Sequence, residues 1–202
     1  MTPARNDKLY KIIATAIFCA LIVVLTMTAG MIQIGSLKLT FVLVPVALTG
    51  ILFGVIPGTI AGFAFGLTVF IQCVTGLEAF GYALFVINPF YTFIATVGRG
   101  IFAGLLTALV YKGMSKLVKN MYVKAIVTAI AAPVLNTGIF LIAYSTLFTG
   151  HLKELASESG EGIFTFVFVI LVGINFIVEL ATSVILTPPA AKALEKAVIK
   201  KG

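Results

Sequence analysis

Four polar side chains sit inside apolar runs of this chain, and together they could hold a small charged ligand: Arg99, Asn136, Asn175 and Glu179. A guanidinium presents a planar fork of N–H donors that matches a carboxylate, and an asparagine amide offers both a donor and an acceptor. Arg99 is the most informative of the four. It lies well inside Asn88–Lys112, NPFYTFIATVGRGIFAGLLTALVYK, about 15 Å deep at a rise of ~1.5 Å per residue. An unpaired guanidinium at that depth costs several kcal/mol, so Arg99 must face other helices, water or an anion. Two arrangements would satisfy it. In one, Glu179 pairs with Arg99 and the asparagines truss the pair. In the other, Arg99 faces an enclosed pocket and neutralises the anionic group of a small ligand. Both hold together if Glu179 orients Arg99 from behind.

The elements that must position these groups are membrane helices. Sixty per cent of the 202 residues are hydrophobic and 10% are charged, a composition of integral membrane proteins. In the Arg99 segment, Asn88 supplies an N-cap, Pro89 stands at the first helical position, and Tyr111 and Lys112 mark an interfacial exit. The same pattern of apolar runs between polar breaks predicts an all-α membrane protein, a compact six-transmembrane-helix bundle in one domain, with spans at about 9–29, 39–54, 58–75, 90–111, 125–148 and 163–186. A positive start followed by an apolar run could be a signal peptide, but the run is long and no clean cleavage site follows.

Positive charges set the orientation. With both termini inside, the cytoplasmic segments hold Arg5, Lys8, Lys11, Lys112, Lys116, Lys119, Lys124, Lys192, Lys196, Lys200 and Lys201, and the outside holds Lys38 and Lys153. That asymmetry predicts N-in, C-in. With directions fixed, Arg99, Asn136 and Asn175 fall at similar depths, about 15–18 Å below the outer edge, with Glu179 one turn deeper. Their faces agree. Thr92, Ala95, Thr96 and Ala103 flank Arg99, and Thr182 and Ser183 flank Glu179, as interior faces of a bundle should.

Other stretches are expected to support this layer. Gly50, Gly54, Gly58, Gly62 and Gly66 recur every four residues across a hairpin turning at Pro57-Gly58, which makes a close packing or docking face. Ala16 and Ala20 form a similar small face on the first span. Gly76–Ile87 is too short to span and suits a cap over the bundle or a re-entrant turn. Pro188-Pro189 should stop the last span and leave a basic amphipathic tail. Cys19 and Cys73, both within apolar spans, read as packing residues.

Several chemistries are excluded. There is no Gly-Lys dipeptide and so no phosphate-cradling loop for ATP. The only histidine, His151, reads as a solvated loop residue, so a two-histidine zinc site is absent. The only aspartate, Asp7, lies in the N-terminal tail, and no G-x-S-x-G occurs, which leaves a buried triad without a base. The chain is expected not to be an enzyme and to bind no metal. The net charge of +7 lies at span ends, so it points to anionic lipid rather than nucleic acid. Inverted repeats of the kind many secondary transporters carry are not apparent.

The chain resembles the substrate-binding S components of energy-coupling factor (ECF) vitamin transporters over nearly its whole length. The resemblance lies in KIIATAIFCALIVV, with Ala16-x-x-x-Ala20; in LKLTFVLVPVALTGILFGVIPGTIAGFAFGL, with Pro45 and Gly54; and in INPFYTFIATVGRGIFAGLL, with its Asn-Pro and Arg-Gly. It implies a vitamin-binding subunit of a bacterial plasma membrane. Such a subunit works with a transmembrane coupling protein and two cytoplasmic ATPases that use ATP, while this chain binds no cofactor. It implies coupling-protein docking at Ala16, Ala20, Gly58, Gly62 and Gly66. Substrate contacts would come from Arg99, Asn136, Asn175, Asn88, Tyr91 and Tyr144, closed over by Gln33–Lys38, including Gln33 and Lys38 themselves, and by Gly76–Asn88. Glu179 would support Arg99. Delivery would follow toppling of the whole subunit. The INP…GRG pattern with NTGIF is most similar to pantothenate S components, although Gly98 stands where a proline would precede the arginine. Folate, riboflavin or a pyridoxine-like vitamin stays open, as does a self-sufficient small secondary transporter. The absence of Trp argues against a ligand held by extensive ring stacking.

Overall fold

A computed structural model describes residues 7–29, 33–34, 37–38, 41–158, 160, 162 and 173–199. The chain begins with α1 (Asp7–Ala29). A small antiparallel hairpin follows, β1 (Gln33–Ile34) and β2 (Leu37–Lys38), which sets Gln33 opposite Lys38. Then come α2 (Leu43–Phe53), α3 (Val55–Thr75), α4 (Ala79–Ile87) and α5 (Pro89–Phe93). A π-helical turn, Ile94–Gly98, joins α5 to α6 (Arg99–Leu117), so the three run on as one rod. The remaining described helices are α7 (Met121–Leu147), α8 (Thr149–Glu158) and α9 (Gly173–Ile199).

Among the described residues, five helical stretches are long and apolar enough to cross a membrane: Lys8–Thr28, Val55–Thr75, Pro89–Leu117, Met121–Leu147 and Asn175–Lys196. The expected second span, 39–54, is instead an 11-residue helix, about 16 Å long against a hydrocarbon core of ~30 Å. Every residue of α2 except Leu52 is buried. It works as an internal strut surrounded by the longer helices, which explains why it can be apolar all round. The first ten residues of the expected sixth span, 163–172, lie outside the described residues.

Three further expectations are corrected. Pro188 and Pro189 do not end the last helix; both lie inside α9. Ala191, with Leu194 beside it, packs into a cluster with Val44, Leu48, Ile51 and Ala125, and this burial holds the helix on course past two missing N–H donors. The loop expected after the fifth span is largely helical. Leu152 and Ala156, four apart, turn one face of α8 onto Tyr144, Phe148 and Leu84. The glycine stripe is not left open for a partner. Gly58, Gly62 and Gly66 of α3 face Gly100, Gly104 and Ala108 of α6, so close that a Cβ on Gly66 would lie 2.6 Å from the Thr96 carbonyl oxygen. The face assigned to coupling-protein docking is occupied by the chain's own α6, and it fixes the rotation of the helix that begins at Arg99.

The two ends of the bundle differ. At one end Lys124 lies over the Tyr111 ring at 5.6 Å and Lys192 over the Tyr122 ring at 4.3 Å. The other end carries α4, α8 and Glu78.

Candidate functional site

Helices α3, α4, α6, α7 and α9 converge on a cavity of about 260 Å³, toward the end of the bundle that carries α4. That volume is near the lower end of small-ligand pockets, which run to ~300–1,000 Å³. Arg99 enters it at the first residue of α6, just after the π turn, where the backbone of Thr96 and Val97 rests directly on Gly66. Single π turns of this kind recur at functional sites. The guanidinium carbon stands 5.6 Å from the Phe65 ring centre and 5.3 Å from that of Phe140. Contacts to rings orient a guanidinium without using its N–H donors.

Two buried polar atoms of the lining lack any hydrogen-bond partner: Arg99 Nε and Asn136 Oδ1. Leaving such atoms unmatched costs about 1–3 kcal/mol each. Neither Glu179 nor Glu78 therefore takes the Nε proton, although both carboxylates act on Arg99 electrostatically. Glu78 is the N-cap of α4, its side chain accepting the Gly81 N–H. A Cβ at Gly81 would meet Cys73 Sγ and the Glu78 carboxylate, so a side chain there would have to displace them. Thr92 and Thr96 also line the cavity, but their hydroxyls already donate to the carbonyls of Asn88 at 3.0 Å and Thr92 at 2.7 Å. They keep only lone pairs for anything inside.

Of the residues singled out in the sequence, Arg99, Asn136, Asn175 and Glu179 line this one cavity. Asn88 does not; its Oδ1 accepts the Tyr91 N–H at 3.0 Å and caps α5. Tyr91 is also off the lining. It is 37% exposed, and its ring meets Phe148 edge-on. Tyr144 is withdrawn from the cavity altogether: fully buried under α8, with its hydroxyl 3.2 Å from His151 Nδ1. Phe140, one turn earlier on α7, takes the place expected of it. His151 is accordingly a partly buried structural partner rather than a solvated loop residue. Gln33 and Lys38 stand paired on the hairpin. Ala16 and Ala20 are exposed on α1.

Sequence reasoning missed several lining residues. Gln72 ties α3 to α1 by donating from Nε2 to the Thr26 carbonyl at 2.8 Å. A lone glutamine in an apolar span was a usable signal. Glu78, the only charge of its segment, was another. Phe65 and Phe140 gave no signal, being two of seventeen phenylalanines.

The arrangement is one for recognition. It offers a cation with an open donor, an open amide acceptor, two carboxyl groups in the lining and aromatic walls. Among the described residues no three His, Cys, Asp or Glu side chains gather as a metal ion would need, and no histidine lines the cavity.

In comparison with known families, the chain matches the model for the ECF transporter, substrate-specific component, over residues 10–191. No curated protein and no solved structure matches the chain.

Proposed function

The chain belongs to the ECF transporter substrate-specific components, and from that premise we propose that it binds a small carboxylate-bearing vitamin, pantothenate foremost, for import. The observation that carries this reading is the unmatched Nε of Arg99 in a ligand-sized cavity. A guanidinium held against two rings, with its Nε edge open, suits side-on recognition of a carboxylate through Nε and one Nη. Asn136 and the lone pairs of Thr92 and Thr96 suit the hydroxyl and amide donors of pantothenate.

The lysine-bearing end faces the cytoplasm and the cavity opens outward, in line with the positive-inside rule. The chain has no ATP-binding motif of its own, so inward delivery depends on a coupling protein and two ATPases. Ala16 and Ala20, exposed on α1, are the docking residues of this reading.

Equilibrium binding of pantothenate to the detergent-purified chain tests it. Arg99→Ala should lower affinity at least about thirtyfold, from the ~2 kcal/mol or more that loss of one partner of a buried charge pair costs. The variant should still elute as a folded monomer. Unchanged affinity would remove Arg99 from the site, and uptake into proteoliposomes by this chain alone would remove the dependence on partners.

A further inference from the structure

The charges around the cavity are unequal. Its lining carries one guanidinium, on Arg99, and two carboxyl groups, on Glu78 and Glu179. Glu78 is fixed in place as the N-cap of α4, where its side chain accepts the N–H of Gly81. Glu179 comes from α9, on the same wall as Asn175. An incoming ligand thus meets one open donor edge for a negative group, the Nε of Arg99, in a lining that also carries two carboxyl groups.

The neutral groups of the lining make a matching demand. Asn136 is 5% exposed and its Oδ1 is an acceptor without a donor. The hydroxyl protons of Thr92 and Thr96 are already given to backbone carbonyls, so these side chains also present lone pairs. Asn136 Oδ1 and the lone pairs of Thr92 and Thr96 are thus acceptors that donors on a ligand could meet.

We propose that this cavity sorts ligands by charge: it accepts a molecule with one carboxylate, seated on Arg99, and with hydroxyl or amide donors along the rest of its length, while Glu78 and Glu179 reject a second negative charge. The proposal rests on the reading of Arg99 as the carboxylate seat and narrows the substrate class within it. Pantothenate, with one carboxylate, two hydroxyls and an amide N–H, meets the rule. Its phosphate ester and the dicarboxylate folate break it.

The test is equilibrium binding of a panel to the purified full chain: pantothenate, its alcohol pantothenol, its phosphate ester, folate, riboflavin and thiamine. Pantothenate should bind tightest, and the phosphate ester at least about tenfold more weakly, a difference of ~1.4 kcal/mol. Glu179→Gln should shrink that gap to about threefold or less, and Glu78→Gln provides the same measurement from another helix if the first variant fails to fold. Phosphate ester or folate binding as tightly as pantothenate overturns the proposal, as does a gap unchanged in both variants. A different pattern overturns the underlying reading instead: pantothenol binding as well as pantothenate, riboflavin or thiamine as the preferred ligand, or no member bound at all.

Discussion

At the scale of single residues, the question is why an arginine rather than a lysine stands at the head of α6. A lysine could place a positive charge in the same cavity, but its ammonium has no Nε edge and no planar face to lie against Phe65 and Phe140. Arg99→Lys should therefore behave like Arg99→Ala in pantothenate binding, with affinity at least about tenfold below wild type. Near-normal binding by the lysine variant would reduce the role of Arg99 to bulk charge. The gathering of Arg99, Asn136, Asn175 and Glu179 on one cavity was legible in the sequence, because polar groups at similar depths in apolar spans have no low-cost place to face except inward. Tyr144 was not separable from Phe140 on the same grounds. Both lie on the inner side of α7, and the choice between them is made by α8 folding back over Tyr144. Nothing in the polar-looking stretch TGHLKELASE announces that, beyond the spacing of Leu152 and Ala156.

At the scale of elements, the contact between α3 and α6 decides where Arg99 points. Two stripes of small residues, Gly58, Gly62 and Gly66 against Gly100, Gly104 and Ala108, bring the two backbones together. The first stripe was plain in the sequence. Its partner was not paired with it, because a repeat on one helix does not say which neighbour it meets, and a partner subunit was as good a candidate as α6. Gly62→Ala should be costly, since the new methyl would meet the Gly100 carbonyl oxygen, a backbone atom that cannot swing aside. Overpacking of this kind costs about 1–3 kcal/mol, so a clear fall in melting temperature should come with weaker pantothenate binding. Gly113→Ala is the control. A Cβ there meets nothing within 4 Å, and a helical alanine should be neutral or stabilising by up to ~1 kcal/mol. Equal melting temperatures for the two variants would mean that the close approach does not govern the bundle. The short α2 and the continuous α9 escaped the sequence for a related reason. Apolar content shows that a segment is buried but not whether lipid or protein surrounds it, and prolines break a helix only where packing does not hold it.

At the scale of the whole molecule, the cavity stands at one end and is backed by apolar packing toward the other. Below Arg99 and Glu179, the described residues close into the cluster of Val44, Leu48, Ile51, Ala125 and Ala191, and the lysine-bearing end lies beyond it. A ligand seated on Arg99 would have to cross that packing to continue through the bundle. Movement of the subunit against a partner avoids the crossing, and it requires a face for the partner to grip. Since the glycine stripe of α3 is already covered, α1 is the better candidate. Its buried side carries Thr15, Ile22 and Thr26, while Ala16 and Ala20 lie exposed among Ile13, Ile17 and Val24. Small residues within a bulky apolar surface leave a shallow seat where another helix can approach closely. Ala16→Leu and Ala20→Leu, made together, fill that seat at two positions outside the cavity lining. Pantothenate binding by the purified double variant should stay within about twofold of wild type, because exposed substitutions away from a site change free energies by ~0.5 kcal/mol or less. Co-purification with the coupling protein, and uptake by the assembled complex, should both fall sharply. Full uptake with both leucines present would show that the coupling protein grips another face. Loss of binding in the isolated variant would show that α1 serves the cavity rather than the partner.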